Sequence, residues 1–213
     1  MKKISQTATS VIIIFIFCLG FFANSSAQVM NKGSMNLFFG LGAPNIARSY
    51  VKGLETPTTT EIVASGRGPL TFTSQYAASN KLAVGVQFGY QSGLSAPLSW
   101  EQPNSAGGTN TRKYTMHMRV YTLMAKADFH YTKGRFLDVY SGVSLGYGIA
   151  HVQYSGTEDP EAIKDFGSLK GFAYSVNAIG FRIMLPQHIG AFAEFGYGVI
   201  GIATVGVSIK TGG

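Results

Sequence analysis

The chain has 213 residues, of which only 13% are charged, with 17 Lys and Arg against 10 Asp and Glu. Soluble domains carry about 25% charged residues, so this composition, with 27 Gly, 15 Phe and 11 Tyr, disfavours an ordinary soluble domain. Its positive charges form no run of like sign, which excludes a nucleic-acid-binding footprint and leaves no nucleic acid among the expected partners.

The first 27 residues have the three-part pattern of a secretory signal peptide. Lys2 and Lys3 make the start basic, residues 11–23 are apolar apart from one glycine, and residues 25–27 end on a small residue. The alternative is a membrane anchor, but an apolar run of 13 residues falls short of the roughly 18 that a membrane-spanning helix needs. We therefore expect 1–27 to be a cleaved signal peptide and 28–213 to be an outer-membrane β-barrel domain.

Alternating apolar and small or polar residues follow, in segments that predict β-strands. The clearest segment is 81–92, where Val84 and Val86 alternate with Gly85 and Gln87. In total the pattern predicts eight strands, near 33–42, 70–79, 81–92, 114–131, 137–154, 170–185, 189–198 and 200–210.

The apolar phase of the sixth predicted strand changes between Val176 and Ile179. A single extra residue reverses which side chains face outward, so the change predicts a β-bulge beside Gly180.

Short and long connections alternate between the predicted strands. The short ones lie at 79–81, 132–135 and 186–188, and the long polar ones at 43–69, 92–113 and 155–169. The last connection, at Gly198, breaks the alternation by being short. Transmembrane barrels of the outer membrane have short periplasmic turns and longer extracellular loops, so the pattern favours that class.

The face opposite the apolar one decides between a soluble and a membrane barrel. It carries Gly, Ala, Ser, Thr and Gln rather than the charge that a water-facing surface needs, so we expect the apolar face to point outward to lipid and the small and polar face to line a narrow lumen. Large inward residues such as Phe38, Tyr140 and Phe192 would then obstruct that lumen.

Four charged residues inside the strands, Lys126, Asp128, Arg182 and Glu194, lie on the polar phase. Ionisable groups at membrane depth face the protein interior and pair with one another, which predicts an internal ion-pair cluster. The alternative is that some of them are solvated at the headgroup level. Because Arg182 and Glu194 flank one short turn, we expect them to share a face and to form a pair.

The closing segment, GAFAEFGYG at 190–198 followed by Gly201 and 206–210, resembles the closing hairpin of the porin-family outer-membrane β-barrel proteins. Segments 68–71 and 81–85 resemble their second and third strands. The resemblance implies a small OmpA/OmpX-like barrel, all-β, with eight antiparallel up-and-down transmembrane strands in the outer membrane. It also implies outer-membrane lipid and lipopolysaccharide as partners, and the barrel-assembly machinery during insertion.

No motif predicts a catalytic, cofactor-binding or metal-binding residue. The G-x-G-x-x-G pattern at 196–201 precedes another strand rather than the helix that a dinucleotide site needs, and the histidines lack metal-ligand spacing. Ser141 and His151 share an outward phase, but ten residues of strand separate them by about 33 Å. The only cysteine, Cys18, lies in the signal segment, so the mature chain has no thiol nucleophile or disulfide.

These features favour a structural or surface-interaction barrel with a largely blocked lumen and three long loops, whose ligands the sequence does not identify. Two alternatives stay open. One is a narrow channel for small or apolar solutes, and the other is a lipid A-modifying enzyme.

Overall fold

The computed structural model describes residues 30–52, 64–95, 98–103, 108–132, 134, 136–156, 165–185 and 188–211. The predicted signal peptide, 1–27, lies outside the described residues. The one helix in the described part of the chain, α1, is seven residues long. None of the described helices is long and apolar enough to cross a membrane.

Within the described residues, ten strands form a single antiparallel sheet. They are β1 (Met35–Ala43), β2 (Ala64–Ser65), β3 (Leu70–Ala77), β4 (Leu82–Ser95), β5 (Leu98–Pro103), β6 (Thr109–His130), β7 (Leu137–Gly156), β8 (Asp165–Met184), β9 (Ile189–Gly198) and β10 (Ala203–Thr211). Eight of them close a barrel in the order β1-β3-β4-β6-β7-β8-β9-β10, because β10 pairs with β1 and β4 pairs with β6. The prediction of an eight-stranded antiparallel barrel is confirmed.

Side chains alternate between the outer surface and the lumen along the barrel strands, apart from the bulge on β8. Val86 is 53% exposed on the outside, whereas its neighbour Gln87 is 1% exposed in the lumen. On β6, Leu123 and Phe129 face outward, while Met124 is buried in the lumen. The predicted assignment of faces, apolar outside and small or polar inside, is therefore confirmed.

The strands extend further at one end of the barrel than the sequence predicted. β4 runs on to Ser95, β5 continues its pairing with β6, and β6 begins at Thr109. The predicted loop 92–113 is thus mostly an extended hairpin, and β8 likewise begins at Asp165 inside the predicted loop 155–169. Cross-strand backbone bonding continues past the apolar belt, where no alternating hydrophobic pattern marks it.

The predicted bulge in the sixth barrel strand is confirmed. On β8, Asn177 pairs with Gly196 while Ile179 pairs with Phe195, which leaves Ala178 as the extra residue. The extra residue restores Gly180 and Arg182 to the lumen, where both are buried.

The long connection between β1 and β3 contains the helix α1 (Ile46–Lys52). Asn45 caps it, since the amide N–H of Arg48 donates to the Asn45 side-chain oxygen at 3.0 Å and that of Ser49 to the Asn45 carbonyl at 2.9 Å. An Asn at this position satisfies N–H groups that have no partner within the helix. The cap fixes where the helix enters the mouth of the barrel.

Candidate functional site

The lumen near the short turns contains a buried ion-pair network. The ammonium of Lys126 lies 2.6 Å from Glu194 Oε1 and 3.5 Å from Asp128 Oδ2. The amide of Gln75 donates to the same Asp128 oxygen at 2.5 Å. All four side chains are nearly inaccessible to solvent, so the two carboxylates share the Lys126 ammonium as their cationic partner in place of water.

A second group of charges lies beside the first. Arg182 Nη2 donates to Asp138 Oδ2 at 2.8 Å, and its Nη1 donates to Asn36 Oδ1 at 2.9 Å. His130 Nδ1 lies 2.9 Å from the same Asp138 carboxylate. Asp138 therefore joins β6, β7 and β8 at one point.

Tyr140 connects the two groups. Its hydroxyl donates to Glu194 Oε1 at 3.0 Å, and its ring stacks on that of His130 with centroids 5.1 Å apart. We call the whole set the ion-pair layer. It comprises Lys126, Asp128, His130, Asp138, Tyr140, Arg182 and Glu194. Its three carboxylates are paired with Lys126, Arg182 and His130.

The four charged residues selected from the sequence all lie in this layer, but their partners differ from those predicted. Arg182 and Glu194 do share a face, diagonally across the β8–β9 hairpin. The structure pairs Arg182 with Asp138, which is directly opposite it on β7. Glu194 pairs across the lumen with Lys126. Asp138, directly opposite Arg182 on β7, is nearer to Arg182 than Glu194 is, because Glu194 occupies a diagonal position on β9.

Sequence reasoning missed Asp138 as a member of the layer. The available signal was its phase, because Asp138 lies two residues before Tyr140 and therefore faces the same side. His130 also faces the lumen, where it is 1% exposed.

Aromatic rings fill the lumen next to the ion-pair layer. Phe38 and Phe192 meet edge to face with centroids 5.3 Å apart, and the Arg182 guanidinium lies 5.3 Å from the centre of the Phe38 ring. Both rings are buried. The cation–π contact ties the aromatic pair to the charged layer.

Two elements enter the lumen from the end with the long connections, which we call the loop end. Ala47 of α1 packs against the inward-facing Met116 and Met118 of β6. The tight turn between β9 and β10 inserts Ile200 against Met124 and Ala173.

Gln91 holds these two elements together. Its side-chain oxygen accepts the amide N–H of Ile46, at the start of α1, at 2.9 Å. Its amide nitrogen donates to the carbonyl of Val199 in the β9–β10 turn. We call α1 and the β9–β10 turn the loop-end plug.

The opposite end, which carries the short turns, is covered by the segment before β1. Met30 is 3% exposed and packs on Ala77 and Ala83, which are both buried. The amide N–H of Gly33 donates to the Ala77 carbonyl at 2.9 Å, which fixes the segment to the end of β3. The described lumen thus has packed side chains at both ends and charges paired between them.

The members of the ion-pair layer make ion pairs and hydrogen bonds with one another. No group of three or more His, Cys, Asp or Glu side chains in the described residues is arranged to hold a metal ion. Ser141, on the outer face, lies 2.5 Å from the Tyr131 hydroxyl oxygen.

No protein-family model and no curated protein matches the chain. Solved structures that are similar to it include the following three. OprG from Pseudomonas aeruginosa, an outer membrane protein, is 11% identical with a TM-score of 0.41, and the match covers 88% of this chain and 100% of that one. E. coli Outer Membrane Protein W is 13% identical with a TM-score of 0.42, over 85% and 99%. Ail, the attachment invasion locus protein of Yersinia pestis, is 12% identical with a TM-score of 0.38, over 84% and 95%.

The strand pairings themselves give the chain the small OmpA/OmpX-like barrel fold that the closing hairpin resembles.

Neutralising Glu194 should destabilise the barrel. Glu194→Gln keeps the shape but removes one of two carboxylates from Lys126, and leaving a buried charge short of its partner costs on the order of 3–5 kcal/mol. Lys126→Met should cost less in the Glu194→Gln background than in the wild type, because the Lys126–Glu194 contact is already lost there and only the longer contact with Asp128 remains to be removed. Urea unfolding of both single variants and the double variant in lipid vesicles measures the coupling, and simply additive losses would contradict the pair.

Gly142→Ala should also weaken the layer. A Cβ there would collide with the Asp128 carboxylate and lie 2.6 Å from the Ala127 carbonyl oxygen. Overpacking of this kind typically costs about 1–3 kcal/mol. The matched control is Gly171→Ala, whose Cβ would meet nothing within 4 Å, with an expected change within about 0.5 kcal/mol. Equal stability of the two variants in the same unfolding assay would show that Gly142 is not constrained.

Proposed function

We propose that this protein is a non-enzymatic outer-membrane β-barrel with a largely blocked lumen and a structural or surface-interaction role. The observation that carries the proposal is the inversion of polarity. Large apolar side chains such as Leu123 (61% exposed) cover the outside, while Lys126, Asp128 and Arg182 are buried inside. A soluble barrel has the opposite arrangement, because water solvates charge on its surface.

The height of the apolar surface supports a membrane location. Tyr121 lies on β6, and Tyr131 directly follows the last residue of that strand, ten residues further along the chain. Ten extended residues span about 33 Å along the strand direction and about 25 Å along the barrel axis at the usual tilt. That height matches the apolar band of outer-membrane barrels, which aromatic rings flank on both sides. Exposed aromatic residues near the two ends include Tyr147, Tyr174 and Tyr197 at one end and Tyr76, Phe129 and Tyr131 at the other. In the described residues, no outward position between these two groups is charged.

The packing of the lumen supports a closed bore. An eight-stranded barrel leaves an interior that side chains can fill, and the ion-pair layer, the Phe38–Phe192 pair and the loop-end plug lie in succession along it. Interactions are then left to the outer wall and to the loop end, where β4 to β8 rise above the other strands. Outer-membrane lipid and lipopolysaccharide are the proposed contacts of the wall, and the barrel-assembly machinery is the proposed partner during insertion.

Val86→Arg should destabilise the barrel in lipid vesicles by about 2–4 kcal/mol, the cost of a guanidinium near the midplane on a lipid-facing strand. Val86→Leu is the control, since it keeps an apolar side chain at the same position, and it should be close to wild type. Unfolding titrations in vesicles give both values. A Val86→Arg variant as stable as Val86→Leu would contradict the membrane assignment.

The wild-type protein should show no steady conductance in planar bilayers. Gln91→Ala, which releases both parts of the loop-end plug, should also stay silent because the ion-pair layer still fills the lumen beneath. A large porin, recorded under the same conditions, is the positive control. Stable ohmic steps from the wild type would favour the narrow channel. A changed mass of lipid A in cells that produce the protein would favour the enzyme.

A further inference from the structure

A groove runs across the outer wall on the side of β10, β1, β3, β4 and β6. Two rows of outward side chains border it, paired from strand to strand by the sheet register. One row consists of Val205, Leu41, Leu70, Tyr90 and Tyr121, and the other consists of Val207, Phe39, Phe72 and Phe88. The floor between the rows is formed by Gly206, Gly40 and Thr71, whose Cα atoms carry no outward side chain.

The dimensions of the groove suit a single hydrocarbon chain. Its volume is about 670 Å³, and apolar and aromatic side chains line it almost entirely. Five strands span about 19 Å at the usual spacing of about 4.8 Å, whereas one leaflet of the hydrocarbon core is about 15 Å thick. Ring contacts stiffen both borders, with 5.0 Å between the centroids of Phe39 and Phe72 and 5.2 Å between those of Tyr90 and Tyr121.

The groove climbs toward the loop end as it crosses the strands. β1 begins, and β6 finishes, at the end of the barrel with the short turns. Leu41 lies six residues from that end of β1, whereas Tyr121 lies nine residues from that end of β6. The end bordered by Tyr90 and Tyr121 is therefore nearer to the loop end than the β10 end is. A chain lying in the groove would leave it at that upper end.

Basic side chains lie directly above that upper end. Arg119 is the next outward residue of β6 beyond Tyr121 in the direction of the loop end. Its side chain is exposed, and it forms no ion pair within the described residues. His151 is paired with Arg119 in the sheet, and its ring lies 6.1 Å from that of Tyr121. His117 is the next outward residue of β6. We call Arg119, His117 and His151 the basic cluster.

We propose that the groove and the basic cluster together bind one lipid whose phosphate headgroup has a net negative charge, with an acyl chain between the two rows of side chains and the phosphate on Arg119. This inference rests on the proposed membrane location and adds a defined site to it. An arginine binds a phosphate through two parallel charge-assisted hydrogen bonds. Neighbouring His117 and His151 add ring N–H donors, and Tyr121 lies at the boundary where its hydroxyl reaches the headgroups.

The charge of the cluster favours a lipid over a second copy of the chain. A two-fold symmetric contact centred on the groove would place the same surface patch of both copies together. Two unpaired Arg119 side chains would then be brought toward each other. A lipid phosphate supplies the opposite charge and an apolar chain in one molecule.

Native mass spectrometry tests the proposal on the protein folded into nanodiscs that contain equal amounts of phosphatidylglycerol and phosphatidylcholine with the same acyl chains. We expect the wild type to retain one phosphatidylglycerol molecule in preference to phosphatidylcholine. Arg119→Gln should lower that preference roughly tenfold, the value of one charge-assisted hydrogen bond. Arg48→Gln removes an exposed cation from α1 at the same end, and it should leave the preference unchanged.

A second variant separates the groove from the basic cluster. Leu70→Trp fills the middle of the groove and should reduce the retention of both lipids, whereas Val143→Trp, on the lipid-facing surface of β7, should not. Soluble glycerol phosphate should fail to displace the lipid, because it has no chain for the groove.

Several outcomes would overturn the site. They are equal retention of the two lipids by the wild type, equal effects of Arg119→Gln and Arg48→Gln, displacement by glycerol phosphate, and a dimer that Leu70→Trp dissolves. Failure of the wild type to fold into nanodiscs at all would instead contradict the membrane assignment, so the two failures are distinguishable.

Discussion

The closure of eight strands into a barrel is the constraint on which the rest of this structure depends. Closure gives every barrel strand a neighbour on each side within the barrel wall. It also fixes an interior only wide enough for side chains. Every inward side chain must therefore pack against or pair with other side chains in a lumen only a few side chains wide. Every outward side chain contacts whatever surrounds the barrel.

The ion-pair layer is one consequence of that narrow interior. Asp138 receives both Arg182 and His130, and Glu194 receives both Lys126 and Tyr140. These contacts join β6, β7, β8 and β9, so the layer links four strands of the barrel to one another through the lumen. A buried network of this kind is costly to disturb, because removing one member leaves another charged and unpaired.

The inner and outer faces of the barrel wall differ in how much surface they leave unoccupied. The lumen is occupied by paired charges, an aromatic pair and the loop-end plug that Gln91 holds in place. The outer face keeps a groove and, above it, the exposed Arg119. The proposed surface-interaction role therefore falls to the outer wall and the loop end, where the described side chains leave a groove unfilled and Arg119 exposed.

The sequence by itself determined the strands of the barrel, the face that each side chain takes and the bulge at Ala178, because the period of two is a local property of the chain. It also selected Lys126, Asp128, Arg182 and Glu194 as charged residues of the lumen, but not Asp138. Which charges pair depended on the closure of the barrel and on the stagger of its strands. These bring Lys126 of β6 to Glu194 of β9 and set Asp138 opposite Arg182. The extension of the strands past the belt and the entry of α1 into the mouth were likewise decided by tertiary structure. Backbone pairing and the fit of Ala47 against Met116 are contacts between distant residues that no local pattern records.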